Sequence, residues 1–228
     1  MGLLNLFARE NNNSKSPLQR KQASEKILKQ LGIPYIDHLP YIESEEEAKI
    51  RTAQDITKRV LILAYLLYIL EVPQQKDNIT NYFKEYDIWD HVSPDERRLL
   101  ELDNWDEQDK TNVSWRAESL WVLLWSIRLV DKLTLKDDFV IAQAIIEKLP
   151  EFLSDPSEFI RQVRIRATAD ILDFSDLIYR THWAVRNAYL EGKPAPAALS
   201  SSTVMERHYA VNWITFQADE WDEVTTDT

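Results

Sequence analysis

The chain has 228 residues, with 44% hydrophobic and 29% charged positions, 8 Trp and only 3 Gly. Its length corresponds to about one and a half typical domains, and its composition excludes disorder, collagen or low complexity as a description of the whole. A net charge of −11 argues against a generic nucleic-acid or anionic-membrane binder, and the lack of Cys excludes disulfides, thiolate metal sites and a cysteine nucleophile.

The N-terminal MGLLNLFA is short and lacks the basic start of a secretory signal, and Leu6 stands where an N-myristoylation motif wants Ser or Thr. With the polar stretch after it, this segment reads as a flexible tail over residues 1–16, and a cytoplasmic location is expected. Ser16-Pro17 caps a first helix that Leu31-Gly32 closes, with Ile27, Leu28 and Leu31 as its buried stripe. Ile33-Pro34 through Leu39-Pro40 is an extended connector, because proline disfavours helix in the residue before it. Ser44-Glu45-Glu46-Glu47 reads as a capping box that launches a long helix to Val72. The apolar run Val60–Leu70 is far shorter than the roughly 18 to 20 residues that span a bilayer, so it is a core helix.

Helices are predicted near Asn78–Tyr86, after Ser93-Pro94, over Asp109–Val130 with Trp115, Trp121 and Trp125, and over Asp137–Lys148. From Ser154-Asp155-Pro156 a helical segment with a break near Val163 runs to Glu191-Gly192. A loop with Pro194 and Pro196 then leads to a last helix, capped by Ser201 or Ser202 and ending near Gln217. No run alternates apolar and polar convincingly, and no solenoid repeat is present. The expected fold is all-α: one multi-helix globular domain over residues 17–228, of about seven to nine helices, with Trp-rich central helices wrapped by others.

The informative residues are charges embedded in those apolar helices. At 100° per residue, Arg166, Asp170, Asp173, Asp176 and Arg180 form one stripe, while His182 lies among Ile171, Phe174, Ile178, Val185 and Tyr189. A solvated charged face is the simpler reading of the stripe, and the neighbouring Tyr179, Trp183 and Tyr189 argue against it. Arg51, Asp55 and Arg59 recur at helical spacing in the second helix; Arg116 and Glu118 join the Trp helix, and Glu206, Arg207, His208 and Asn212 the last one. An unpaired buried charge costs several kcal/mol, so these groups either satisfy one another or share a polar pocket.

Enzyme motifs are missing: there is no GxxxxGK[ST], GxGxxG, HExxH or GxSxG, and no Glu-x-x-His pair for a dinuclear carboxylate site. His182 and His208 with Asp173, Asp176 or Glu206 would make an acid–base or metal set. However, His182 projects from the face opposite Asp173, and a His on an apolar face is ordinarily a hydrogen-bonded core residue. No metal or cofactor is expected.

Taken together, RKQASEKILKQLGIPYIDHLPYIESEEEAKIRTAQDITKR, SWRAESLWVLLWSI, LDFSDLIYRTHWAVRNA, MERHYAVNW and the closing WDEVTTDT make the chain resemble domain-of-unknown-function family 4272. The resemblance implies a helical fold and no activity. Its motif positions here include Arg51, Arg59, Arg116, Glu118, Asp173, Asp176, Arg180, His182, Glu206, Arg207, His208, Asn212, Trp221, Asp222 and Asp227. The terminal WDEVTTDT is expected to fold back, its acids pairing with Arg51, Arg116, Arg180 or Arg207, where a frayed tail is the alternative.

Two functions follow. One is a non-enzymatic module, adaptor or toxin-neutralising immunity type, meeting a protein partner with a basic surface. The other is a hydrolase or metal-assisted enzyme using Asp173, Asp176, Arg180, Glu206, His182 and His208 in an interhelical pocket. A closed charge network favours the first, and an open cleft reached by a histidine favours the second.

Overall fold

A computed structural model describes residues 14–135 and 139–228, and nine α-helices with no strand lie among them. α1 (Pro17–Leu31) begins with a capping box, Ser16 Oγ accepting from the Gln19 amide, and ends at Gly32, whose φ of 68° is a left-handed stop that glycine adopts without strain. α2 (Ala53–Glu71), α3 (Lys76–Glu85) and α4 (Pro94–Glu101) follow, with Thr52 and Ser93 capping α2 and α4. α5 (Glu107–Ser126) is capped by Asp106; α6 (Ala142–Ile146) and α7 (Ser157–Gln162) are short. α8 (Thr168–Leu190) and α9 (Ser201–Ile214) complete the set.

The neighbours run α2, α5, α9, α8, α1, so α5 and α9 are wrapped on both sides. Their buried side chains join one continuous apolar cluster, in which Trp125 of α5 meets Phe174 of α8 at 5.3 Å between ring centroids. Among the described residues no helix is long and apolar enough to cross a membrane.

Several expectations are corrected. α2 starts at Ala53, not at Ser44: Ser44–Glu47 closes as an isolated turn, with the Glu47 carboxylate accepting from the Ser44 amide at 3.1 Å. The chain stays extended after it because the Arg51 amide donates to the Ile214 carbonyl of α9 at 3.0 Å. Arg51 therefore precedes α2, and Asp55 receives the Thr52 hydroxyl at 2.7 Å instead of meeting an arginine. The start of the helix predicted over Asp137–Lys148 lies outside the described residues, and only Ala142–Ile146 of the remainder is helical. On α1, Ile27 and Leu31 are only partly covered, whereas Arg20 and Lys21 are buried beside Leu28. Residues 1–13 of the predicted tail lie outside the described residues; Lys15, at its end, pairs with Asp173.

The C-terminal segment folds back, but through different groups from those expected. Asp222 accepts from Ser93 Oγ at 2.7 Å and from the Asp95 amide at 2.9 Å, so it serves the start of α4 and no arginine. Arg51 takes the Ala218 and Asp219 carbonyls at 2.7 and 2.6 Å, and Asp227 lies 3.8 Å from Arg186. The anchor is Trp221, 2% exposed, whose carbonyl accepts from the Tyr209 hydroxyl. Trp221→Ala is expected to lower the unfolding free energy by about 3–5 kcal/mol, as for other buried Trp truncations. Urea denaturation checks this, and a loss below about 1 kcal/mol would show that the segment contributes little to the fold.

Candidate functional site

The charged stripe of α8 is not solvated: Asp170, Asp176 and Arg180 are at most 2% exposed. The helix packs that face against α1 and the connector before Ser44. Arg180 clasps Asp176 through Nε and Nη2 at 2.9 and 2.8 Å, and the same Nη2 donates to the Pro40 carbonyl at 3.0 Å. Asp173 instead receives Arg20 Nε at 3.1 Å, at the contact with α1. The Trp125 and Val130 carbonyls accept Arg166 at 3.0 and 3.1 Å.

The other interior charges form separate pairs. Arg59 Nη1 meets both Glu96 oxygens at 2.7 and 2.6 Å, and its Nη2 donates to the His91 carbonyl at 2.5 Å. Arg207 meets Glu118 at 3.0 and 2.8 Å, and the other Glu118 oxygen accepts from the Val140 amide at 3.1 Å. Arg116 and Ser119 share Glu206 at 3.1 and 2.7 Å. The sequence-predicted acids and arginines thus close individual helix contacts, and they do not converge on one pocket. Glu96 and Arg20 complete these pairs and were not legible in advance, because their partners come from distant elements.

An open cleft of about 250 Å³ lies between α8, α9, the connector and the C-terminal segment. Its floor holds Ser175, Tyr179, His208 and Asn212; Pro40, Tyr41, Ile42 and Glu43 form one wall, and Thr215, Phe216, Gln217, Thr225 and Asp227 the other. Of the predicted residues, His208, Asn212 and Asp227 reach it. The first wall is fixed from behind, with Lys21 donating to the Asp37 carbonyl and Arg180 to that of Pro40. The second is fixed by Asn212, which donates to the Thr225 carbonyl at 2.8 Å, and by Gln217, whose Nε2 donates to the Thr225 hydroxyl at 2.9 Å.

Arginines line a row of aromatic rings behind that second wall, in which Trp221 meets Tyr209 and Trp213 edge-to-face at 5.0 and 5.4 Å. Arg116 lies 4.6 Å from Tyr209 and 5.5 Å from Trp221; Arg59 lies 4.8 Å from Trp221 and 5.6 Å from Trp213. Arg51 lies 4.2 Å from Trp213 and 4.1 Å from Phe216, where the ladder ends at the cleft. Burial raises the Tyr209 phenol to about 12, so its hydroxyl remains a donor at every ordinary pH.

Beneath the cleft His182 and His208 face each other, Nδ1 to Nδ1, at 3.0 Å. One ring donates and the other accepts, so the contact requires at least one neutral imidazole. Burial lowers both, to about 4 for His182, with Arg186 adding to the effect, and to about 3 for His208, next to its partner. Among the described residues no group of His, Cys, Asp and Glu has the arrangement of a metal site.

Folded pKa values below the ordinary 6.5 of histidine mean that the unfolded chain takes up protons first as the pH falls. The pair's contribution is therefore full above about pH 6.5 and declines progressively as the pH drops towards about 4 and 3. His208→Gln is expected to flatten the pH dependence of urea stability below neutrality. An unchanged slope would contradict the assignment.

No curated protein and no solved structure matches the chain. A family model described as "Domain of unknown function (DUF4272)" matches residues 20–224, most of the chain and all of the helices beyond the first turn of α1. The chain therefore belongs to the DUF4272 family.

Proposed function

We propose that the protein is a non-enzymatic binding module that recognises a basic segment of a protein partner in the cleft between α8, α9, the connector and the C-terminal segment. The observation that carries this reading is the lining: Glu43 and Asp227 stand with Tyr41, Tyr179 and Phe216, and neither Lys nor Arg is among the residues that line it. Carboxylates beside aromatic faces attract a cation by charge and by the ring quadrupole. The chain's net charge of −11 adds long-range steering of the same sign. An adaptor or an immunity-type protein, acting in the cytoplasm, fits this chemistry, and a nucleic acid does not.

The enzymatic alternative asks Asp173, Asp176, Arg180 and Glu206 to act with a histidine. Those side chains are engaged in separate pairs, and His208 alone of that set lines the cleft. Its Nδ1 faces His182 instead of a carboxylate that would orient it as a base.

Titration of the protein with a short Lys- and Arg-containing peptide, followed by NMR, is expected to move resonances of Ser175, Tyr179, His208 and Asn212, with affinity falling as salt rises. Combining Glu43→Gln with Asp227→Asn should weaken binding by about threefold to tenfold, the worth of exposed charge pairs. Undiminished binding by this variant, or shifts confined to another surface, would contradict the proposal.

A further inference from the structure

We infer that the residue anchored in this cleft is an arginine of the partner, stacked on Phe216 as one more rung of the ladder and paired with Glu43 or Asp227. The inference rests on the binding reading above and specifies the chemistry of its ligand.

The ladder's internal order is the first support. Each arginine in it touches two aromatic rings: Arg116 those of Tyr209 and Trp221, Arg59 those of Trp221 and Trp213, Arg51 those of Trp213 and Phe216. Phe216 is the terminal ring. Arg51 covers it at 4.1 Å, yet it remains 37% exposed and lines the cleft. A planar guanidinium suits the exposed part of such a ring better than an ammonium, because it is more weakly hydrated and stacks flat.

The placement of Phe216 is the second support. α9 ends in a Schellman motif, the Phe216 amide donating to the Trp213 carbonyl at 3.2 Å and the Gln217 amide to that of Asn212 at 2.9 Å. Phe216 sits at the position usually held by glycine, with φ at 56°. This turn, one of several left-handed non-glycine positions in the chain, puts the ring where it both covers Arg51 and lines the cleft.

The carboxylates are the third support. Asp227 is held only loosely by Arg186, 3.8 Å away, with side chains 86% and 48% exposed, so an incoming guanidinium displaces little. Glu43 stands on the opposite wall, so the two acids flank the opening.

The test uses the full chain and three capped tripeptides with a central arginine, lysine or citrulline, titrated by NMR. The arginine peptide is expected to bind at least about threefold more tightly than the lysine peptide, as an exposed stacking contact gives, and citrulline to bind weakest. Phe216→Gly, which suits the left-handed backbone, should abolish the preference for arginine over lysine, with the amide spectrum of the helices checking that the fold is retained. Equal affinity for arginine and lysine, both lost when Glu43 and Asp227 are neutralised, would overturn this inference and leave the basic-segment reading intact. Failure of both cationic peptides to bind would overturn the two together.

Discussion

The contact of three arginines with a cluster of aromatic rings is the interaction on which the arrangement depends. Arg51, Arg59 and Arg116 come from the approach to α2, from α2 and from α5, while Tyr209, Trp213, Trp221 and Phe216 belong to α9 and the segment after it. Each rung therefore ties one part of the chain to another. Hydrophobic burial brings α2, α5 and α9 together and, through Trp221 and Val224, seats the C-terminal segment on them. The guanidinium groups add direction, since they take ring faces and carbonyls in one geometry. With that segment in place Asp222 reaches the start of α4, and Thr225 and Asp227 form a wall of the cleft.

The buried ion pairs serve the same end by a different balance. Moving Arg180 and Asp176 out of water, where each is 0% exposed, costs several kcal/mol, and their attraction offsets this only with tight geometry. The gain is specificity of position: Arg180 holds Asp176 on its own helix and the Pro40 carbonyl on the connector with a single guanidinium. Arg59 and Arg207 likewise reach both their carboxylate partners and loop carbonyls. Irregular segments that carry few apolar side chains are thereby fixed against apolar helices, and the cleft is shaped by groups that do not line it.

Helix punctuation was legible in the sequence because it is local. Ser16-Pro17, Gly32 and Ser93-Pro94 all lie where capping chemistry puts them. Ser44–Glu47 misled because a capping box stabilises a single turn as readily as a helix start, and the decisive bond, from the Arg51 amide to Ile214, spans most of the chain. The charged positions of α8 were identifiable, but their burial was not, since periodicity gives a face and not what covers it. In the cleft His208, Asn212 and Asp227 carried a signal, whereas Tyr41, Glu43, Ser175 and Phe216 did not, because they converge only after the connector and the C-terminal segment have docked.

Hydrogen exchange measured residue by residue on the chain and on Arg51→Lys tests the central role of the ladder most directly. Lysine keeps the charge but lacks the plane and fork that hold Trp213, Phe216 and the Ala218 and Asp219 carbonyls. Amides from Phe216 to the C-terminus are expected to exchange faster, with protection in α1, α5 and α8 retained. Unchanged protection of that segment, or a loss spread evenly over all helices, would contradict it.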